Sequence, residues 1–549
     1  MQRAVGHLAL VLHAHLPFVR HPEHHRFLEE SWLYEAVAEV YLPLLRVLQG
    51  WASDGIAARI TLSISPTLAA MWKDPLLMSR AQDYLDSRLE LMRQEVIRCL
   101  WQPDLRSAIQ QQQREWLANR LWWQTHPSLL AAFQELESAG IVELITTSAT
   151  HAILPFMEPS TGAAQAQIRY GIRQHSQLLK NRPQGFWLPE CAHHAPLNPM
   201  LAAEGIRWTI LDRRLPKSSR KRRPRSQPSV LQLDSGLIAF IRDPSTATRV
   251  WSREHGYPSH ADYRDFYRDV GFEADLDYVE PYLPSPGLRG FTGVKPYRIT
   301  GLGVEKRPYH PQQALRRAWQ HAQHFLRGCA AHCSLEQQMG FAPEPIIVAP
   351  YDAELFGHWW HEGPLFLDAV GRLAQQQTDV PALVTLSDHL NTFAIPKEEA
   401  YEEQAASTWG AGGCFETWLN PVNAWIFPAL RSAERAFAEA LRTRAFEPGH
   451  ATRHHLQAAG ASLLQAQASD WPFHLQPGAE SGYARRRITQ HLEEFWSELQ
   501  ATNSVYPPTR TDAADRGPEF PEVRLEDWLR ESIPRPTTKE ADVVFTSAS

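Results

Sequence analysis

Residues 344–360 read EPIIVAPYDAELFGHWW, and this stretch decides how the rest of the chain can fold. The apolar run at 346–349 has the length and continuity of a strand that is buried on both faces. Pro350 ends the run, and an aspartate, a glutamate, a histidine and two tryptophans follow within ten residues. In a parallel α/β barrel, catalytic groups stand at this carboxyl end of the strands. The stretch therefore predicts a barrel strand with Asp352 at its active end, although Asp352 alone is equally compatible with a helix cap.

The bulk composition limits the class of protein. A chain of 549 residues is long enough for two or three structural units. Its 43% hydrophobic and 21% charged residues are typical of a soluble globular protein. The net charge of −6 and the scattered Lys and Arg residues argue against a nucleic-acid partner. No apolar run approaches the ~20 residues that span a bilayer, so we expect no membrane segment.

Cysteine usage and the amino terminus favour a cytoplasmic protein. The five cysteines form no CxxC pair and are odd in number, which indicates reduced thiols rather than a disulfide framework. The opening residues MQRAVGHLALVLHAH resemble a signal peptide. However, His7 and His13 interrupt the apolar run and no small-residue cleavage site follows, so we interpret this segment as a first strand.

Apolar runs alternate with helical patterns along the first 400 residues. The runs predicted as strands lie at residues 8–12, 59–65, 141–146, 185–188, 207–211, 346–349 and 382–386. Their alternation with helices predicts an α/β fold with a parallel sheet, either doubly wound or closed into a barrel. A segment at 229–243 that alternates around Asp234 is predicted as a β-hairpin.

The helical segments divide the chain into predicted domains. Residues from about 72 to 138 have no strand pattern and are too long for one crossover, so we predict a helical insertion within a catalytic unit spanning 1–399. Beyond this unit the strand patterns stop, and residues 400–532 are predicted as a helical C-terminal domain. The basic run at 213–228 is interpreted as a solvated loop rather than a polyanion site. The polar residues 533–549 are predicted as a disordered tail.

Polar side chains gather where the predicted strands end, at His13, His15, His151, Glu190, Asp212, Asp352 and Asp388. In a closed sheet these residues converge at one mouth. Glycosidic bond chemistry requires two carboxyl groups, one that attacks the anomeric carbon and one that protonates the leaving oxygen. Glu190 follows Trp187 closely, Asp352 lies between Tyr351 and Trp359, and apolar neighbours keep a carboxylic acid protonated near neutrality. A glycosidic pair of Glu190 and Asp352 is therefore chemically coherent, although paired carboxylates are common and the sequence alone does not place the two side chains face to face.

Two other functions are compatible with the same residues. His13 and His15, together with Asp352 or His358, could hold a divalent ion for hydrolysis or deacetylation. No further His/Asp cluster has obvious ligand spacing. A non-catalytic glucan-binding protein is compatible with the 19 Trp, 15 Tyr and 22 Phe, because tryptophan beside polar residues in loops can stack on sugar rings. This second alternative leaves the two carboxylates without a role.

The same residues resemble the short motifs of family fifty-seven of the glycoside hydrolases. In order, the matching stretches are HAHLP at 13–17, GFWLPECA at 185–192, a looser segment at 250–267, APYDAELFGHWW at 349–360, and WGAGG at 409–413 with WLN at 418–420. The resemblance covers about residues 5–500. Two of the motifs are long, and their carboxylates stand 162 residues apart (352 minus 190), so a chance match is not expected.

The resemblance implies a (β/α)7 barrel, a distorted relative of the TIM barrel, with a helical insertion and an all-helical C-terminal domain. It also implies a retaining double displacement on an α-1,4-glucan such as amylose, without a metal or other cofactor. Glu190 would be the nucleophile and Asp352 the acid/base, facing each other across about 5 to 5.5 Å. Within the family the chain is most similar to the members that transfer the cleaved chain to a 6-hydroxyl and so form α-1,6 branches. An α-amylase or a 4-α-glucanotransferase activity with the same pair stays open, and no oligomeric state is indicated.

By family position, His13 and His151 would contact the sugar at the scissile bond. The further substrate contacts expected are His15, Trp187, Tyr257, His358, Trp359, Trp360, Trp409 and Trp418. For each tryptophan, a place in the core is the simpler alternative. Tyr257 is the candidate for a tyrosine on a mobile loop that favours transfer over hydrolysis, with Tyr263 as the second choice. Two features depart from the family pattern, namely the pair at 193–194 (HH) and the basic insertion at 213–228.

Overall fold

The structure, a computed structural model, describes most of the chain. The described residues are 5–212, 229–252, 254–301, 303, 305–339, 344–393, 406–444, 450–475, 481–502 and 523–528. The basic run at 213–228 and the predicted tail at 533–549 lie outside these ranges.

Strands and helices alternate through the first 393 residues. The strands are β1 His7–Ala14, β2 Ile60–Ile64, β3 Val142–Thr147, β4 Gly185–Trp187, β5 Trp208–Leu211, β6 Val230–Gln232, β7 Ile238–Ile241, β8 Tyr297–Arg298, β9 Arg307–Pro308, β10 Ile346–Asp352 and β11 Ala382–Leu383. The helices of this part are α1 Ser31–Ala36, α2 Leu42–Ser53, α3 Pro66–Lys73, α4 Pro75–Arg98, α5 Pro103–Thr125, α6 Leu129–Ser138, α7 Ala163–Leu179, α8 Leu197–Ala203, α9 Pro244–Trp251, α10 Val270–Glu273, α11 Leu276–Val279, α12 Pro311–Gln338, α13 Gly363–Gln376 and α14 Leu386–Thr392. The helices that follow are α15 Ile426–Arg444, α16 His450–Ala466, α17 Asp470–His474 and α18 Ser481–Ala501.

Seven parallel strands of the described chain form a closed wall in the order β10-β1-β2-β3-β4-β5-β7. The ring closes just after β7, where Arg242 pairs in parallel with Val348 of β10. The backbone N–H of Asp243 donates a hydrogen bond to the Val348 carbonyl at 2.8 Å. The predicted (β/α)7 barrel is therefore confirmed. The predicted hairpin at 229–243 is also present, since β6 pairs antiparallel with β7.

One predicted wall strand, at 382–386, is wrong. Of this run, only β11 is a strand. It pairs with the first residues of β1, on the same edge of β1 that pairs with β2 nearer its carboxyl end. The strand stops because Thr385 caps α14 through a reciprocal capping box with Asp388. The seventh wall strand is instead β7, the second strand of the hairpin. Asp388, expected at the mouth, pairs with Arg59 just before β2 and so lies at the opposite end of the barrel.

Alternation along the strands decides which residues face the barrel interior. Ala9 and Val11 of β1 pack in the same inner cluster as Val348 of β10, while the leucines of β1 pack beneath the outer helices. Because successive side chains of a strand point to opposite faces, His13 and Asp352 belong to the interior face. The register pairs these two residues directly at the carboxyl ends of the adjoining strands.

Helices cover the barrel and extend beyond it. Helices α4, α5 and α6 occupy residues 75–138, where the sequence predicts an insertion. The helices after residue 425 reach the barrel mouth, where Ala468 forms an antiparallel bridge with Ala152. The division into domains stays a prediction. Among the described helices, none combines the length and apolar character needed to cross a bilayer. All five cysteines are free thiols.

Candidate active site

Glu190 lies directly after β4 in a turn of uncommon backbone conformation. Its φ and ψ are 59° and 24°, and Cys191 follows with a φ of 49°. Residues other than glycine rarely adopt this left-handed region. The carbonyl of Glu190 accepts hydrogen bonds from the Trp409 backbone N–H at 3.0 Å and from the Thr408 hydroxyl at 2.6 Å. The segment after residue 405 thus holds the turn, and such locally strained backbone is concentrated at functional sites.

The Glu190 carboxylate is oriented by an indole. Trp409 Nε1–H donates to Glu190 Oε2 at 2.6 Å, and His151 Nδ1 lies 3.9 Å from Oε1. Burial raises the pKa of Glu190 to about 7, although the Trp409 hydrogen bond and the nearby His15 act in the opposite direction. The carboxylate is thus fixed in position and ionises near neutral pH.

The pKa of Asp352 is also shifted towards the protonated form. Burial raises its pKa well above the ordinary value, and the negative charges of Glu190 and Glu354 raise it further, whereas Arg242 lowers it. Glu354 in turn accepts hydrogen bonds from the His15 backbone N–H and from the Tyr41 hydroxyl. The Asp352 carboxyl group is therefore close enough to Glu190 for the negative charge of Glu190 to raise its pKa. Their separation of about 5 to 5.5 Å stays a prediction.

Three histidines form a stacked cluster beside this pair. His13 and His151 share a hydrogen bond between their Nε2 atoms at 2.9 Å, and the ring of His15 stacks on His151 with 3.9 Å between centroids. The other nitrogens are bound as well, His13 Nδ1 to Ser63 Oγ at 3.0 Å and His151 Nδ1 to Ser469 Oγ at 2.8 Å. Burial, followed by the charge of neighbouring histidines, lowers the pKa values of His13 and His151 well below the ordinary value. Both rings are therefore neutral near pH 7.

The hypothesis of a divalent ion at His13 and His15 finds no ligand set in this arrangement. Both ring nitrogens of His13 are engaged with protein atoms, and His15 Nε2 is hydrogen-bonded to the Asp470 carboxylate at 3.2 Å. Across the described ranges, no group of three or more His, Cys, Asp or Glu side chains is arranged to hold a metal ion.

The C-terminal helices supply two site residues that sequence reasoning missed, Ser469 and Asp470. Ser469 contacts His151, and Asp470 is hydrogen-bonded to His15 through both carboxylate oxygens. The signal was a break in the helical pattern after residue 468, where the sequence reads SDWP. A polar pair before Trp-Pro at a helix break marks a turn, but nothing local indicates which strand end it faces.

Tryptophans form one wall of the site. Trp187 is 1% exposed and stacks on His13 with 5.0 Å between centroids, while Trp409 packs edge-on against Trp187 at 5.1 Å. Trp251, which sequence reasoning did not single out, is 38% exposed and meets Trp409 at 6.2 Å. Arg242 lies over the Trp409 ring at 5.3 Å. Trp187 therefore supports the site from below, and Trp251 and Trp409 present its accessible aromatic surface.

Four more of the predicted aromatic residues are buried. Trp360 and Trp418 are 2% and 3% exposed and belong to apolar clusters, as the core alternative requires. Tyr257 was expected over the cleft. It is instead buried, and its hydroxyl is hydrogen-bonded to His324 of α12. Tyr263 is also buried, and its hydroxyl is bound to a histidine at 321 of the same helix. Both tyrosines are thus held against α12, which offers them apolar surface and ring nitrogens.

His358 and Trp359 line a different cavity, of about 360 Å3, to which neither Glu190 nor Asp352 contributes. His358 Nδ1 is hydrogen-bonded to Glu39 Oε2 at 2.7 Å. Of the predicted site residues, the structure therefore brings together the two carboxylates, three histidines and two tryptophans, namely Glu190, Asp352, His13, His15, His151, Trp187 and Trp409.

Comparison with known proteins agrees with this geometry. The model of glycosyl hydrolase family 57 matches residues 9–402, and that of the 1,4-alpha-glucan branching enzyme C-terminal domain matches 429–528. A probable 1,4-alpha-glucan branching enzyme of Mycobacterium tuberculosis H37Rv is 30% identical over 531 residues, covering 88% of this chain and 90% of that protein.

Two solved structures are similar over almost the whole fold. The alpha-amylase AmyC from Thermotoga maritima has a TM-score of 0.80 and 32% identity, covering 90% of this chain and 93% of that one. A GH57-type branching enzyme from Pyrococcus horikoshii has a TM-score of 0.79 and 27% identity, covering 97% and 98%. With the family model matching most of its length and the barrel built as the motifs predict, the chain belongs to glycosyl hydrolase family 57.

Proposed function

We propose that the protein is a 1,4-α-glucan branching enzyme that works by a retaining double displacement. The observation that carries this proposal is the pairing of an oriented carboxylate, Glu190, with a second carboxyl, Asp352, whose pKa is raised well above the ordinary value by burial and by neighbouring negative charge. Retention requires two such groups with different protonation states. The match of residues 429–528 to the C-terminal domain of branching enzymes supports transfer rather than hydrolysis.

In the first step, the ionised Glu190 attacks the anomeric carbon of an α-1,4-linked glucose. The protonated Asp352 donates its proton to the leaving glycosidic oxygen, and a covalent glycosyl-enzyme forms. The Trp409 N–H donates to Oε2 of Glu190 and so orients the carboxylate. The other oxygen, Oε1, lies on the side of His151 and is the candidate for the attack. His13 and His151 are neutral near pH 7, so they place no positive charge beside the nucleophile.

In the second step, Asp352 has lost its proton and acts as a base. It removes the proton from the 6-hydroxyl of an acceptor glucan, whose oxygen attacks the anomeric carbon and releases Glu190. The product carries an α-1,6 branch. Trp251, which is exposed, and the partly buried Trp409 beside it provide aromatic surface on which glucose rings of the donor or acceptor can stack.

An α-amylase is the second candidate. The amylase AmyC resembles this chain in fold as closely as the branching enzyme from Pyrococcus horikoshii does, and its sequence identity to this chain is higher. The two activities differ only in whether water or a glucan hydroxyl reaches the intermediate first. The catalytic pair would be the same in both cases.

Incubation with amylose, followed by proton NMR, tests the proposal. We expect the α-1,6 anomeric signal to grow while few new reducing ends appear. Glu190→Gln removes the nucleophile and should abolish both changes. Rapid release of reducing ends without α-1,6 signals would instead identify an amylase, and a Glu190→Gln protein that keeps much of either activity would remove the nucleophile assignment.

The remaining assignments follow from this reaction. The substrate would be an α-1,4-glucan such as amylose or a glycogen-like polymer, so the enzyme would act in glycogen biosynthesis. Five free thiols support the cytoplasm as its compartment. We also propose that residues 1–399 form the catalytic unit, with its helical insertion at 72–138, and that residues 400–532 form the C-terminal domain that delivers Ser469 and Asp470 to the site.

A further inference from the structure

A second cavity, of about 360 Å3, lies apart from the catalytic pair. Its walls come from α2, α13, the loop after β10, the segment around residues 264–295, and α5 of the predicted insertion. No residue of the cluster around Glu190 lines it. Its size falls within the range of small-ligand sites. We call it the insertion cavity, because α5 supplies one of its walls.

Arg264 lines the insertion cavity with unsatisfied hydrogen-bond donors. The residue is 5% exposed, and none of its Nε, Nη1 and Nη2 atoms has a hydrogen-bond partner among the described residues. Its guanidinium lies over the Tyr309 ring at 4.4 Å, which contributes attraction but accepts no conventional hydrogen bond. A buried guanidinium with unmatched donors is costly, so a ligand that accepts from it would bind favourably.

Two glutamate side chains, each held by a histidine, line the same cavity and offer hydrogen-bond acceptors. Glu39 is held by His358 at 2.7 Å, and Glu115 by His361 at 3.3 Å. Burial alone would raise the pKa of Glu115, but the His361 contact and nearby charges lower it to about 2, so it is ionised at neutral pH. Arginine and lysine side chains line the cavity beside these carboxylates, so its walls carry both signs of charge. A ligand that both accepts from Arg264 and donates to carboxylates is better matched, and sugar hydroxyls do both.

The insertion cavity also has an exposed aromatic side chain in its wall. Trp359 is 54% exposed and stacks on Phe266 with 4.6 Å between ring centroids and 29° between planes. Lys295 Nζ sits 3.9 Å over the Phe266 ring. Sugar-binding sites typically combine an accessible indole ring, on which the sugar ring stacks, with hydrogen-bond donors and acceptors beside it.

From these contacts we infer that the insertion cavity is a second glucan-binding site, which holds a neutral α-glucan segment through Arg264, Glu39, Glu115 and Trp359. The inference rests on the proposed function, because the glucan is the substrate of the catalytic pair. Trp359 follows Asp352 by seven residues in the loop at the carboxyl end of β10, so a long chain bound here lies on the same side of the barrel as the catalytic mouth. The site would retain polymer between rounds of transfer.

Calorimetric titration of the full-length Glu190→Gln protein with maltoheptaose tests this inference, because the inactive protein leaves the ligand intact. We expect two binding sites per chain. Adding Trp359→Ala should weaken one site by about tenfold or more. Arg264→Lys, which keeps the charge but loses the planar fork, should weaken the same site. Trp101→Ala is the matched control, since Trp101 is 89% exposed and lies outside the insertion cavity.

The outcomes separate the inference from the proposed function. A single site in the Glu190→Gln protein, or two sites that both survive Trp359→Ala and Arg264→Lys, would overturn the inference while wild-type branching of amylose still upheld the function. Binding of inorganic phosphate at this cavity in place of maltoheptaose would also overturn it. A wild-type protein that neither cleaves nor branches amylose would defeat the proposed function itself. Thermal melting of each variant establishes that the fold is kept.

Discussion

Trp409→Phe is the substitution that most specifically perturbs the nucleophile. It removes the Nε1–H that donates to Glu190 Oε2 at 2.6 Å while keeping an aromatic ring against Trp187. In the wild-type protein this hydrogen bond opposes the rise that burial causes in the pKa of Glu190, which stands at about 7. Loss of the donor should therefore raise that pKa further, so that the carboxylate ionises only at more alkaline pH.

The magnitude follows from the strength of a hydrogen bond to a charged group, about 1.5 to 3 kcal/mol. Since about 1.4 kcal/mol corresponds to one pH unit, the pKa of Glu190 should rise by about one to two pH units. At pH 7 the ionised fraction then falls from about one half to about 1–10%, and kcat/KM falls about 5- to 50-fold. Part of the loss should be recovered as the pH is raised, because a larger fraction of Glu190 is then ionised.

The assay is the pH profile of kcat/KM on amylose for the wild type, Trp409→Phe and Trp251→Phe. Trp251→Phe is the matched control, because Trp251 contacts the Trp409 ring and has no hydrogen bond to Glu190 in the described structure. We expect the acidic limb to move to higher pH in Trp409→Phe alone. A loss of equal size at every pH, with the limb unmoved, would show that the indole packs against the site without tuning the carboxylate.

The other predictions concern the C-terminal contribution and the packing of the barrel. Asp470→Asn should lower kcat/KM about tenfold, because it weakens the hydrogen bonds to His15, and unchanged kinetics would place Asp470 outside the site. Gly171→Ala should lower the free energy of unfolding by about 1 to 3 kcal/mol, because the new Cβ would lie 2.0 Å from the Thr147 carbonyl oxygen. Gly482→Ala, whose Cβ meets nothing nearer than 3.5 Å on an exposed helical position, should instead raise it by up to about 1 kcal/mol, and denaturant unfolding compares the two.

The barrel was predictable because its wall strands are buried on both faces. The apolar runs at 8–12 and 346–349 fall within β1 and β10, and a polar residue that follows each run, His13 or Asp352, stands at the mouth. Continuous hydrophobicity followed by a polar residue is a local pattern, so it can be read without knowing which strands are neighbours. The same pattern located Glu190 after β4.

The contacts that could not be predicted depend on distant parts of the chain. The short run at 382–386 has the composition of a strand, but the capping box at Thr385 turns it into α14, and the ring closes through β7 instead. Ser469 stands more than 300 residues beyond the histidine that it contacts, and no local pattern specifies that approach. The burial of Tyr257 was not predictable either, because its hydroxyl is bound by His324 of α12, a partner 67 residues away.

The central claim is that Glu190 forms the covalent intermediate and Asp352 serves as acid and base. Asp352→Asn treated with α-maltosyl fluoride isolates the first step, because fluoride leaves without protonation, whereas the second step has lost its base. A maltosyl adduct should therefore accumulate.

Mass spectrometry of the digested adduct tests this claim most directly. We predict that the peptide containing Glu190 gains the mass of one maltosyl group, and that the double variant with Glu190→Gln gains none. An adduct on any other residue, or labelling that persists without Glu190, would contradict the account.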